Sequence, residues 1–338
     1  MPLSEEQITD PLTCFSANEE AYTGTTLRPL APPLAGRYQI AIVHGFDAPP
    51  DVNQFNIQQN RKTVMSDLIL TERRGKKEGI LWMTLNRPEK MNALTFPLLK
   101  EMREILIDAR FDRSVRCIVI TGAGRGFCAG MDMGGNANPD REPPPEPKDA
   151  KPDPEGYRLN FRHETETYIA LKRMEVPIIA MINGPAVGAG FDLVSHCDMA
   201  VGSTAARFQV AYVKRGVFAD LGGFWSLPKI LGWRKAMEMM MTGRFMSAEE
   251  AHEAGLTNYL VEPEELEAKT MELAQEVESG PPIAQKLGKM LALRTAHLDF
   301  DTAMQWSESA IPVVGLSQDS IEGMRAFGER RETDFTGR

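Results

Sequence analysis

Two glycine-rich turns carry the residues of this sequence whose types and spacing bear on chemistry. The first, Thr121 to Asp132 (TGAGRGFCAGMD), follows the apolar run Cys117-Ile118-Val119-Ile120, which reads as a buried strand. Its glycines at 122, 124, 126 and 130 let the backbone turn tightly and bring N–H groups close to a ligand. The second, Asn183 to Gly190 (NGPAVGAG), follows another apolar strand, Pro177 to Ile182. Two strand-to-glycine turns that each lead toward a helix can present a pair of converging amide donors, the arrangement that holds a developing oxyanion. A dinucleotide site would need G-x-G-x-x-G here. Gly122 and Gly124 are in place, but the third position is Phe127, and the turn does not run straight into an apolar helix. Two ordinary glycine turns of an α/β protein stand as the plain alternative.

The elements that must position these turns belong to a chain of 338 residues, enough for one large or two ordinary domains with a substantial core. A hydrophobic content of 42% and a charged content of 25% are those of a soluble globular protein. The net charge of −9 argues against a general nucleic-acid binder. Cys14, Cys117, Cys128 and Cys197 show no CxxC spacing and read as reduced, packed thiols. With His44, His163, His252 and His297 scattered and His196 read as packed or hydrogen-bonded, no metal site is expected. No apolar run approaches a membrane span, and MPLSEEQITD resembles neither a secretory nor a transit signal. The chain does not end in the peroxisomal tripeptide, so a cytoplasmic location is the expectation.

Residues 1–64 form a proline-containing arm in which only Arg37 to Phe46 resembles a strand. A core is expected over 65–265, interrupted at 136–156 by a proline- and charge-dense insertion, and a helical region over 266–338. Within the core, Leu68 to Leu70 and Ile80 to Leu85 read as strands joined by a charged turn, Arg73 to Lys77. Amphipathic helices follow over 95–111 and 159–174, and short strands over 199–201 and 208–210. Helices are then expected over 222–231, 233–242, 247–254, 264–279, 283–294, 302–311 and 318–331, with a capping box at Ser247 to Glu250. Strands alternating with helices, then a helical tail, give an α/β body with a helical appendage.

With both turns placed, the chain resembles the crotonase, or enoyl-CoA hydratase/isomerase, superfamily. The matching pieces are Leu85-Asn86-Arg87-Pro88 with Met91 to Leu94, Gly126 to Asp132, Asn183-Gly184 through Gly190, Cys197-Asp198, Leu227 to Gly232, Ser247 to Ala251 with Gly255-Leu256, and Glu322 to Phe327. They occur in family order over residues 66–338. The resemblance implies a crotonase-like spiral of ββα units with C-terminal helices that trimerise, as a homotrimer or a homohexamer. It implies an acyl-CoA substrate and no separate cofactor, coenzyme A being part of the substrate. It places the thioester oxygen between the backbone N–H groups of Met131 and Ala189. It maps adenine and pantetheine contacts to Lys90, Met91, Ala129, Asp132 and Met133.

The proton-carrying positions distinguish members of the family. Hydratases carry two glutamates, at positions that fall here on Asp192 and Tyr212. Tyrosine, with an ordinary pKa of about 10, is a poor base near neutral pH, so simple hydration is placed in doubt. Gly216 to Gly223 is similar to the loop that carries the working aspartate in dienoyl-CoA isomerases and in ring-epoxide phenylacetyl-CoA isomerases, and puts that residue at Asp220. The expectation is an acyl-CoA isomerase with Asp220 as the main acid/base and Asp192 as the second carboxylate. The alternatives are an enoyl-CoA hydratase or dehydratase on an unusual acyl group, and an inactive CoA-binding or scaffold homologue. Non-catalytic roles compete at each position. Asp220 is also placed to cap a helix, and Asp192 suits the first turn of one. Tyr212 either hydrogen-bonds substrate or an aspartate, or lines an apolar pocket, and the lining role is the reading preferred here. Met237 and Met239 to Met241 read as packing, and Arg330-Arg331 as a solvated helix face or a contact to CoA phosphates.

Overall fold

The computed structural model describes residues 67–132 and 153–338. The arm over 1–64, with its expected strand, Met133, and all but the end of the 136–156 insertion lie outside the described residues. The main sheet has strands β1 (Ile69–Arg74), β2 (Ile80–Leu85), β3 (Cys117–Gly122), β4 (Ile178–Ile182), β6 (Met199–Ser203) and β9 (Tyr259–Val261), in the order β1-β2-β3-β4-β6-β9. Only β1 runs antiparallel to its neighbour, with Ile69 opposite Leu85. A second sheet holds β5 (Ala186–Val187), β7 (Arg207–Gln209) and β8 (Phe245–Ser247).

Ten α-helices are described: α1 (Phe96–Phe111), α2 (Pro154–Lys172), α3 (Ala189–His196), α4 (Gly223–Ile230), α5 (Trp233–Thr242), α6 (Ala248–Glu253), α7 (Leu266–Ser279), α8 (Pro282–Thr295), α9 (Phe300–Gly315) and α10 (Gln318–Glu329). The chain winds as a spiral. Each of four turns passes through a main-sheet strand, a short segment at the second sheet's edge, and a helix. These are β2, Leu94 and α1; β3, Cys128 with Met131, and α2; β4, β5 and α3; and β6, β7 and α4.

Period-two alternation along the central strands explains the layering. Ile118, Ile120, Ile178, Ala180 and Ile182 face a large core shared with α1, α2 and α3. Cys117, Val119, Ile179 and Met181 face the other side, where Leu266 and Ala274 of α7 cover them. Strands buried on both faces are apolar throughout, as a parallel sheet requires.

Several boundaries differ from expectation. Arg73 and Arg74 belong to β1, because Arg73 pairs with Asp112 at 2.6 Å and Arg74 lies over the Trp82 ring, so the turn begins at Gly75. Helix α2 starts at Pro154, inside the span read as insertion, because the Asp153 carboxylate accepts from Gly156 N at 2.9 Å and caps it. The short strands β5, β8 and β9 are too brief to show a period. The Ser247 hydroxyl caps α6, but Glu250 turns to Lys235 and Arg244, so the capping box is half formed. Helix α10 ends at Glu329, and Arg331 pairs with Glu322 and Glu329.

The last residues return to the spiral. Arg116, 8% exposed, donates to Phe335 O at 2.9 Å, and Arg113 donates to Gly337 O at 3.0 Å. Asp319 accepts from the N–H groups of Thr336 at 2.7 Å and Gly337 at 2.9 Å.

Close backbone approach fixes the glycine turns. A Cβ on Gly190 would overlap the Cys128 carbonyl and stand 2.7 Å from the Cys128 Cβ. Gly190→Ala is therefore expected to destabilise the fold by about 1–3 kcal/mol, read as a lower urea midpoint at unchanged slope. An unchanged midpoint would contradict this packing.

Candidate active site

The two glycine turns lie side by side. Pro185 O accepts from Phe127 N and Cys128 N, each at 3.1 Å, and Val187 N donates back to Cys128 O at 2.9 Å. This pairing, with the Cys128–Ala186 bridge, brings Gly130 against the start of α3. Gly130 has φ 93°, and a Cβ there would stand 2.7 Å from Val187 O and 3.5 Å from Ala189 N. Two buried or half-buried amides lace the first turn. Asn92 Nδ2 donates to Ala123 O at 2.9 Å and Gly126 O at 2.8 Å, while Asn183 Nδ2 donates to Gly122 O and Gly124 O at 2.8 Å. Sequence reasoning did not assign these two asparagines a positioning role. Their adjacency to glycine turns was the available signal, since such side chains bond nearby backbone groups.

Met131 forms a parallel bridge with Leu94. Leu94 N donates to Gly130 O and Asp132 N donates to Leu94 O, both at 2.8 Å. The ladder thus uses the groups flanking Met131, and its own N–H faces the other way. Ala189 N–H is the first of α3, where an amide has no intrahelical acceptor. Among the described residues neither N–H has a hydrogen-bond acceptor. Ala189 O accepts the Tyr168 hydroxyl at 2.9 Å. Tyr168 was not foreseen, because its polar end meets a turn far away in sequence.

Asp192 is 1% exposed in α3 and Tyr212 Oη donates to its Oδ2 at 2.6 Å. This corrects the preference for Tyr212 as mere pocket lining: its hydroxyl is committed to the aspartate. Burial pushes the Asp192 carboxyl up to about 7 and the Asp220 charge adds to this, against the stabilising hydrogen bonds from Tyr212 and the Gly223 and Leu221 backbone. Burial likewise raises Tyr212 well above the ordinary range, and the Asp192 charge reinforces it.

Asp220 is half-buried, and its carboxyl is raised, chiefly by burial. It does not cap α4, whose N-cap position is Gly222 without a side-chain bond. Instead it lines a cavity of about 300 Å³ with Tyr168, Lys172, His196, Leu221, Phe224 and Trp225 among its neighbours. Asp192, Tyr212 and Asp220 thus form one electrostatic group beside α3.

Of the residues mapped to adenine and pantetheine, Lys90, Met91, Ala129 and Asp132 are described and lie near one another. Met91 O accepts from Ala129 N at 2.9 Å, Lys90 is exposed beside it, and Asp132 pairs with Arg87 at 2.9 Å. Among the described residues no cluster of histidine, cysteine or acidic side chains has the geometry of a metal site, and no helix is long and apolar enough to cross a membrane.

The stability cost of Asp192 has a definite sign. A carboxyl raised from 3.8 in the unfolded chain to about 7 when folded leaves stability unaffected below pH 4. Stability then falls as pH rises toward 7, by about 1.4 kcal/mol per unit, and levels off above. Asp192→Asn removes this titration. Measured by urea unfolding, the variant is expected to gain on the parent between pH 4 and 7, and a pH-independent difference would refute the assignment.

Comparison with known proteins agrees with this architecture. Residues 75–338 match the family described as Enoyl-CoA hydratase/isomerase. The chain is 32% identical over 268 residues to the 1,2-epoxyphenylacetyl-CoA isomerase of Escherichia coli K12, covering 78% of this chain and 97% of that one. It is 34% identical over 259 residues to the (E)-benzylidenesuccinyl-CoA hydratase of Thauera aromatica, covering 76% and 96%. A crystal structure of an enoyl-CoA hydratase from Bacillus anthracis superposes with a TM-score of 0.72 at 29% identity, covering 80% of this chain and all of that one. The spiral, the paired glycine turns and these matches place the chain in the enoyl-CoA hydratase/isomerase, or crotonase, family.

Proposed function

We propose that this protein is an acyl-CoA isomerase that shifts a double bond, or rearranges an unsaturated acyl group, through a thioester enolate. The observation carrying this reading is the division of labour between the aspartates. Asp192 is buried and tied to Tyr212, while Asp220 lines the adjoining cavity. The N–H groups of Met131 and Ala189 receive the thioester oxygen, which makes the neighbouring C–H acidic. Asp220 removes that α-proton, the C–H electron pair becomes a double bond between the α-carbon and the thioester carbon, and the carbonyl pair moves onto the oxygen. As the carbonyl re-forms, the enolate pair moves to the α–β bond, and the old double bond takes a proton at its distal carbon from Asp220 or from protonated Asp192. No atom is gained or lost. Lys90, Met91, Ala129, Asp132 and Met133 hold the CoA moiety, and no further cofactor takes part.

A second reading, hydration or dehydration, is favoured by relatives named for it: the Thauera hydratase and, at 36% identity over 279 residues, a carnitinyl-CoA dehydratase of Escherichia coli. Here Asp192 and Asp220 handle water. Product mass on an enoyl-CoA distinguishes the two, since hydration adds a water and isomerisation leaves the mass unchanged. A product that is only the water adduct would rule out the isomerase assignment.

Asp220→Asn is expected to lower kcat by about a hundred- to ten-thousand-fold. If Asp192 supplies the returning proton, kcat falls above about pH 7 as it ionises, and Asp192→Asn abolishes that limb. Turnover unchanged in both variants would reject both proton carriers, whereas CoA-thioester binding with no turnover in the parent would favour the non-catalytic homologue.

Self-association as a homotrimer or homohexamer accompanies this reading. Trp306, Ile311, Val313 and Leu316 of the α9 region and Met324 and Phe327 of α10 are exposed apolar residues. Sedimentation equilibrium is expected to give three or six copies, and a monomer at micromolar concentration would contradict it.

A further inference from the structure

Among the described residues no other side chain bonds the Asp220 carboxylate, which is met only by its own backbone N–H. Its place is therefore set by the backbone that carries it. That backbone is bounded by Gly216 and Gly222, with φ of 74° and 104°. Glycine allows many backbone states besides the one observed. A proton carrier has to stand within a fraction of an ångström of its working position. Something outside the loop must remove the freedom.

Helix α3 supplies the hold. Asp192 and His196 lie four residues apart on it, on one face. Asp192 accepts from the backbone N–H groups of Leu221 and Gly223. His196 Nε2 lies 3.0 Å from Leu221 O, and since a carbonyl only accepts, Nε2 carries the hydrogen. Leu221, next in sequence to Asp220, is thus gripped by both of its main-chain polar groups, and its side chain is buried. Gly222 completes the contact, because a Cβ there would stand 2.4 Å from His196 Nε2 and 2.7 Å from Cε1. Tyr168 braces the imidazole edge-on, with centroids 5.9 Å apart. Ser195 Oγ meets Ser226 Oγ at 2.7 Å and ties α3 to α4 just beyond the loop.

His196 does little for stability by comparison. Its Nδ1 is buried with no partner among the described residues, and an unpaired buried acceptor offsets what the bond to Leu221 O contributes. We infer that His196 is a positioning residue for the proton transfer: its Nε2–H, together with the Asp192 carboxylate one turn earlier, fixes the Leu221 main chain and thereby holds the Asp220 carboxylate at the cavity wall. The inference rests on the reading of Asp220 as proton carrier and adds the residue that sets its place.

Hydrogen exchange on a saturated thioester tests it. Phenylacetyl-CoA has acidic α-hydrogens and no acyl double bond to move. In heavy water each removal and return of a proton through Asp220 replaces an α-hydrogen by deuterium and raises the mass. The parent is expected to exchange, and Asp220→Asn to abolish exchange. His196→Phe is expected to lower the rate at saturating thioester by about ten- to a hundredfold, with a calorimetric Kd within about twofold of the parent's. His196→Gln, whose amide can donate to Leu221 O, is expected to recover most of the rate. Gly222→Ala disturbs the same contact from the loop and is expected to slow exchange likewise, whether or not His196→Phe folds. Parental rates in folded His196→Phe or Gly222→Ala, or a His196→Gln no faster than His196→Phe, overturn the inference and leave the Asp220 assignment standing. Exchange absent from the parent, or surviving in Asp220→Asn, overturns both.

Discussion

The site depends on the pairing of two glycine turns across the edge of the second sheet. Pro185 O receives two amides from the first turn, and Val187 N returns a bond to it. This exchange puts Met131 one residue beyond a left-handed glycine and Ala189 at the first position of α3. Both amides are spared from the ladders for ordinary geometric reasons: a parallel bridge uses alternate residues, and a helix leaves its first donors unpaired. The donors therefore need no special side chain, which is why a methionine and an alanine occupy these positions. What the arrangement requires is close backbone approach, and glycine with asparagine lacing supplies it.

Around that frame the acidic groups differ because their surroundings differ. Asp192 sits in a buried helix against Tyr212 and the backbone near Gly223, so its charge is disfavoured despite three hydrogen-bond donors. Asp220 stands on a loop at the cavity wall, where burial is partial. Two carboxyls close enough to feel each other do not both ionise freely, and this separates a proton-holding group from an open one. Tyrosine at 212 sharpens the separation, because a hydroxyl there donates to Asp192 and adds no third negative charge.

Much of the fold was legible in the sequence because its signals are local. The apolar runs ahead of each glycine turn gave β3 and β4, and the limits of α5 follow from its flanking glycines, Gly232 and Gly243. Ser247 marked a helix start through a cap that the structure contains, while the helix read from Thr95 begins at Phe96 with Thr95 as its cap. The misses share a cause. Arg73 and Arg74 look like turn residues until Asp112 and Trp82, distant in sequence, are placed beside them. The strands β5, β8 and β9 are two or three residues long and exist only through their partners. At the site, the positions of Met131, Ala189, Asp192 and Asp220 were readable from the order of motifs. The Tyr212–Asp192 bond stood only as one alternative for Tyr212, and the Tyr168–Ala189 bond was not readable, since each is a meeting of separate elements.

The return of the chain terminus has a consequence for assembly. Arg113 and Arg116 grip the backbone at 335 and 337, and Asp319 grips it from α10. The excursion through α8, α9 and α10 is therefore fastened at both ends, like a handle, and does not swing as a free appendage. A handle of this kind surrenders little conformational freedom when a neighbouring copy meets its oily side. The clasp of two arginines just ahead of β3 thus lowers the entropic cost of association through that side.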